Sequence, residues 1–168
     1  GTEHFVTDLH GEHEAFQHIL RNASGNIKRK VNEIFGDTLS SDEKRDLCTL
    51  IYYPEEILKL ARQSGDALDE YYLCMLNRLI VVCRDVSSKY TRSKVRKSLP
   101  EEYAYIIEEL MHEANDFQNK QAYFSMIIQA IIGTGRADHF ITALCYLIQR
   151  LVIDRLHILG DIFDRGPG

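Results

Sequence analysis

Apolar side chains recur every three or four residues through most of this chain, the period of a helix with one buried face. The clearest run covers 66–87, where Leu68, Tyr71, Tyr72, Met75, Leu76, Leu79, Ile80 and Cys83 draw a single stripe. Phe16, Ile19 and Leu20 mark an earlier helix, from near Gly11 to Ser24-Gly25. Ile27, Val31, Ile34 and Phe35 mark another, ended at Gly36 by a left-handed cap. Ser40 and Glu43 have the spacing of a capping box ahead of Leu47, Leu50 and Ile51. Pro54, with Glu55 and Glu56 behind it, opens a helix that Gly65 closes. Pro100-Glu101-Glu102 restarts the pattern through Ile106, Ile107 and Leu110. Residues 118–132 form a further helix ending at Gly133, and a last one runs from about Ala137 to Leu151.

Two short stretches depart from that period. His4-Phe5-Val6-Thr7 and Arg155 to Leu159 are brief and β-compatible, and they run directly into Asp8-Leu9-His10-Gly11 and Gly160-Asp161. Length and flanking glycines predict strands. The expected fold is therefore mainly α, a helical bundle bracketed by two short β-strands at Phe5–Thr7 and Arg155–Leu159. Paired in parallel as one oversized βαβ-type unit, the strands bring their carboxyl ends to a common edge.

Composition narrows the function classes. The 168 residues carry a net charge of −5, which disfavours nonspecific nucleic-acid binding, because a phosphate backbone attracts a basic face. No apolar run approaches the roughly 18 residues needed to cross a bilayer, and no signal peptide opens the chain. Cys48, Cys74, Cys83 and Cys145 lack CxxC spacing and read as reduced, mostly buried thiols. A cytoplasmic protein with no nucleic-acid or membrane partner is expected.

One basic segment stands out. "KYTRSKVRK" at 89–97 has five cations, and no acid occurs between Asp85 and Glu101. It reads either as a solvated loop or as an anion site built from Arg92, Lys94, Arg96 and Lys97. Gly133-Thr134-Gly135 has a faint likeness to a phosphate loop, and reads better as a turn between helices.

Chemistry concentrates at the two ends. Asp8 and His10, leaving the first strand at i and i+2, offer a carboxylate and an imidazole to a divalent metal. Asp161, leaving the second strand, adds a carboxylate that could place one oxygen on each of two metals. Two metals about 3.5–4 Å apart suit displacement at phosphorus. Asp164 stands where it either ligates or hydrogen-bonds a histidine behind the metal. Arg165 supplies a planar fork matched to phosphate oxygens, and Gly166 lets the backbone turn beside that anion. The remaining histidines (His4, His13, His18, His112, His139 and His157) lie in no ligand-like pattern.

At "DLHG" and "GDIFDRG" the sequence resembles the calcineurin-like metallophosphoesterases, with matches at Asp8, His10, Gly160, Asp161, Asp164 and Arg165. The long helical stretch between those motifs resembles the class 3 fructose-1,6-bisphosphatases of Firmicutes type, as do "FVTDLHGEHEAFQHILRNASG" and "RLHILGDIFDRGPG". The resemblance implies an amino-terminal fragment of such an enzyme. Residues 1–25 would begin the metallophosphoesterase domain, 26–150 would form a helical insertion, and 151–168 would supply the return strand and the GDxxDRG motif of a truncated α/β sandwich. It further implies Asp8 and His10 on one metal, Asp161 bridging two Mn2+ ions, Asp164 orienting a catalytic histidine and Arg165 binding the scissile phosphate. The reaction implied is hydrolysis of fructose 1,6-bisphosphate to fructose 6-phosphate and phosphate, a gluconeogenic step.

The family's later G-N-H-[DE] motif and metal-binding histidines are absent from these residues. The isolated chain is accordingly expected to be inactive, to bind metal weakly or not at all, and to be open to homo-oligomer formation through unpaired strand edges. Two other readings stay in view. One is a protein or dinucleotide phosphatase of the same superfamily, which would want a much shorter gap between the motifs. The other is a non-catalytic helical interaction module whose aspartates are turn residues.

Overall fold

Ser40 shows how local chemistry sets the architecture. Its hydroxyl accepts a hydrogen bond from the Glu43 N–H at 3.1 Å, and its own N–H donates to Glu43 Oε1 at 3.0 Å. That closes the expected capping box and starts a helix over Ser41–Tyr52. The computed structural model describes residues 14–65, 67–112 and 117–164, with side chains at 25–65, 67–110 and 122–152. Among the described residues the elements are α1 (Glu14–Phe35), α2 (Ser41–Tyr52), α3 (Pro54–Ser64), α4 (Leu68–Ser87), α5 (Arg92–Lys97), α6 (Glu101–His112), α7 (Phe117–Gly133) and α8 (Ala137–Asp164).

Several of the predicted boundaries hold. Gly36 and Gly65 take positive φ at the ends of α1 and α3, and Pro54 fills the first position of α3. Gly133-Thr134-Gly135 is a turn, not a phosphate loop. Gly135 has φ of 75°, its N–H donates to Ile132 O at 3.1 Å, and the Arg136 N–H donates to Ile131 O at 3.0 Å. These bonds satisfy the last carbonyls of α7, and the left-handed residue they require is glycine.

The helices pack around a central pair, α4 and α8. Leu76, Leu79 and Cys83 from α4 meet Phe140, Ile141, Leu144, Cys145 and Ile148 from α8 in one continuous core, all of them essentially removed from solvent. On one flank α2 contributes Leu47, Leu50 and Ile51, each 0% exposed, and α1 contributes Ile27 and Val31. Helices α6 and α7 cover the other flank with Ile107, Leu110, Ile128 and Ile131. Long-range polar contacts pin the layers. Gln149 Nε2 on α8 donates to the Ile51 carbonyl at 2.6 Å, satisfying one of the orphan carbonyls at the end of α2. The Tyr90 hydroxyl donates to the Leu151 carbonyl at 2.8 Å, and Lys30 pairs with Asp85 at 2.6 Å between α1 and α4.

Three expectations are corrected. The two helices expected on either side of Ser24-Gly25 are one, α1, which passes through Gly25 without a left-handed turn. A glycine inside a helix costs only about 1 kcal/mol relative to alanine, less than giving up a continuous run of backbone hydrogen bonds and the stripe through Ile27 and Val31. The basic segment at 89–97 is not a loop throughout. Thr91 caps the short helix α5 by accepting from the Lys94 N–H at 3.2 Å, and Val95 is buried. The third correction concerns the return strand at Arg155–Leu159, which is helical and belongs to α8. Val152, Leu156, Leu159 and Phe163 continue the three- and four-residue spacing of α8, and no proline interrupts it. A helix also satisfies its backbone groups within the segment, whereas a strand needs a neighbour. No strand occurs among the described residues, so the bracketing pair and the sandwich they were to begin are not seen. The other predicted strand, Phe5–Thr7, lies outside the described residues.

Candidate functional site

The residues expected to carry chemistry are reached only in part. Asp8, His10 and Arg165 lie outside the described residues. Asp161 and Asp164 fall in the final turns of α8 rather than just after a strand. Among the described residues no group of histidine, cysteine and acidic side chains is arranged to hold a metal.

The basic segment is described in full. Helix α5 winds Arg92, Lys94, Arg96 and Lys97 over roughly 200° of its outer surface, because each residue turns about 100° from the last. Two of the four cations are engaged locally. Arg96 pairs with Glu108 of α6 at 3.1 Å, and the Lys94 ammonium lies 5.0 Å from the centre of the Tyr90 ring. The arrangement disperses the charges instead of aiming them at one anion.

Two clefts that the motif reading did not single out open on opposite chemistry. One, of about 440 Å³, lies between α3 and α8 and is bordered by Glu55, Arg62, Glu102, Asp138 and His139. One ion pair closes inside it: Arg62 pairs with Asp138, which also accepts from the Tyr72 hydroxyl, while the Tyr146 hydroxyl donates to Glu55 at 3.1 Å. The other, of about 490 Å³, lies between α1 and α2 and is lined by Lys28, Asn32, Ser41, Lys44, Arg45 and Cys48, with Thr49 and Tyr52. It has three cations and no carboxylate in its lining. Burial pushes the Cys48 thiol up to about 11, so at neutral pH it is protonated and adds no charge of its own. The sequence signal for this cleft was the helical spacing of Lys28 with Asn32 and of Ser41 with Lys44, Arg45, Cys48 and Thr49.

A family model described as Firmicute fructose-1,6-bisphosphatase matches residues 1–168, the entire chain. The chain belongs to that family. Class 3 fructose-1,6-bisphosphatases are similar along the whole of it: 68% identity over 167 residues in Phocaeicola vulgatus, 66% over 168 in Bacteroides thetaiotaomicron and 60% over 168 in Clostridium beijerinckii. In each case 99–100% of this chain aligns with 25% of the relative, so the chain spans about a quarter of the length of the curated relatives it matches. No solved structure matches it significantly. For this member of the Firmicute fructose-1,6-bisphosphatase family, then, the described part is an all-helical unit packed on a core that draws on Ile27 through Val152. Among the described residues no helix is long and apolar enough to cross a membrane, and the four cysteines are free.

Proposed function

We propose that this chain is the amino-terminal part of a cytoplasmic phosphatase that converts fructose 1,6-bisphosphate to fructose 6-phosphate and phosphate. The observation carrying the reading is the family match over all 168 residues, which includes both "DLHG" and "GDIFDRG". Asp8, His10 and Asp161 offer two carboxylates and an imidazole, a donor set of oxygens and nitrogen suited to Mn2+. Bound there, the metal supplies a water made acidic enough to attack at neutral pH and offsets charge on the phosphoryl oxygens. In this proposal Asp161 would hold metal together with Asp8 and His10, Asp164 would position a histidine contributed by another part of the protein, and Arg165 would grip the phosphate through two parallel hydrogen bonds. The sugar bisphosphate substrate, the metallophosphoesterase chemistry, the gluconeogenic role and a homo-oligomeric state belong to the same reading.

The test uses the full-length protein with Mn2+ and fructose 1,6-bisphosphate, following phosphate release. Asp161→Asn is expected to lower kcat by roughly a hundredfold or more, equivalent to about 3 kcal/mol or more of lost transition-state stabilisation, with unchanged circular dichroism and Tm. Full activity in that variant would overturn the assignment, and so would a wild-type protein that releases no phosphate. Residues 1–168 alone are expected to hydrolyse nothing measurable.

A further inference from the structure

Among the described residues, the cleft between α1 and α2 gathers three cations with no carboxylate in its lining. Lys28 and Lys44 have no carboxylate within ion-pair distance among the described residues. Two nearby acids are committed elsewhere: Glu33 pairs with Lys30, and Glu43 accepts from the Ser40 N–H while pairing with Arg78 at 2.8 Å. Asp42 pairs with Arg45, and one carboxylate leaves most of a guanidinium's five donors unused. Asn32 and Ser41 bring uncharged hydrogen-bonding groups to the same walls. A volume of about 490 Å³ falls in the range of small-molecule sites. All this occurs on a chain of net charge −5, where a carboxylate-free basic pocket is a local reversal of sign.

We propose that this cleft binds the phosphate or diphosphate group of a small metabolite, held by Lys28, Lys44 and Arg45. The site shares no residue with those assigned to hydrolysis, and the proposal stands whether or not the chain belongs to an active phosphatase. It is a place for an effector rather than for the reacting phosphate, since no carboxylate or imidazole lines it to hold a metal or move a proton.

The probe is inorganic pyrophosphate, titrated calorimetrically into residues 1–168 in metal-free buffer. Wild type and Asp161→Asn should bind it saturably, with one site and equal affinity. Lys28→Gln with Lys44→Gln should weaken binding roughly tenfold or more, with unchanged circular dichroism and Tm in the absence of ligand. Lys59→Gln with Arg150→Gln removes two exposed charges away from the cleft and should leave affinity as it was. The proposal fails if no saturation is reached by about 10 mM, a Kd already so weak that it is worth under 3 kcal/mol. It fails equally if the cleft variant binds like wild type, or if the control variant loses as much.

Discussion

Arg84 serves two neighbours from the surface of α4. Its Nε and Nη2 donate to the Leu110 carbonyl at 3.0 and 2.6 Å, closing the end of α6, and its guanidinium lies 5.2 Å from the centre of the Phe124 ring on α7. A cation at a helix carboxyl end is favoured by the dipole as well as by the bond itself. Burial draws its pKa down, and it stays charged throughout the neutral range. Arg84→Met keeps the stem and discards both contacts, so it should cost about 2 kcal/mol in urea unfolding, with little change in m-value. At Gly25 the expectation has the opposite sign. That residue is helical and exposed, and an added Cβ would meet nothing within 4 Å. Gly25→Ala should therefore stabilise by about 0.5–1 kcal/mol, seen as a raised urea midpoint. Neither effect was legible in the sequence, where Arg84 is one more cation on a periodic helix and Gly25 reads as a stop. What decides both is which elements lie alongside.

At the scale of elements, caps and stripes were legible because their causes are local. The Ser40–Glu43 box, Pro54 at the start of α3 and the glycines ending α1 and α3 each depend on chemistry within four residues. The box also has a pH signature. Hydrogen bonding to the Ser40 N–H and hydroxyl, with Arg78 nearby, holds the Glu43 carboxyl below its usual range. A depressed folded-state pKa gives stability that is present above the unfolded value, near 4.5, and lost as pH falls through the folded one. Glu43→Gln should therefore flatten the acid limb of stability as pH falls below about 5, leaving the slope above pH 6 unchanged, as read from urea midpoints across the acid range. Ser40→Ala should cost about 1 kcal/mol at pH 7 in the same measurement. The failures at this scale have a common cause. Arg155 to Leu159 is five residues of apolar and basic character that fit either period, and the continuity of α8 settles the matter in favour of helix.

Across the whole molecule, the expectation of a mainly α chain holds, and its core follows the stripes read from the sequence. The candidate catalytic site was legible as a motif and not as a place. Asp8, His10 and Arg165 lie outside the described residues, and the aspartates at 161 and 164 sit on a helix where a strand edge had been expected. The α1–α2 cleft went unnoticed because its cations come from two helices, and only packing juxtaposes them. Burial also ranks the helices by expected protection. Amide hydrogen exchange followed by mass spectrometry should be slowest in the middle of α4 and in 140–151 of α8, where nearly every apolar side chain is inaccessible. Exchange should be fastest in α5, which is six residues long and buries only Val95. A uniform rate across those helices would show that the packing is loose.

The pairing of α4 with α8 also has a consequence for how the protein is born. Helix α4 is finished at Ser87, yet its principal partner, α8, begins only at Ala137. A ribosome releases the first of these surfaces well before the second exists, and Gln149 arrives nearly a hundred positions after the Ile51 carbonyl that it caps. During that interval the nascent chain presents Met75, Leu76 and Leu79 to water, a sticky intermediate that chaperones would recognise.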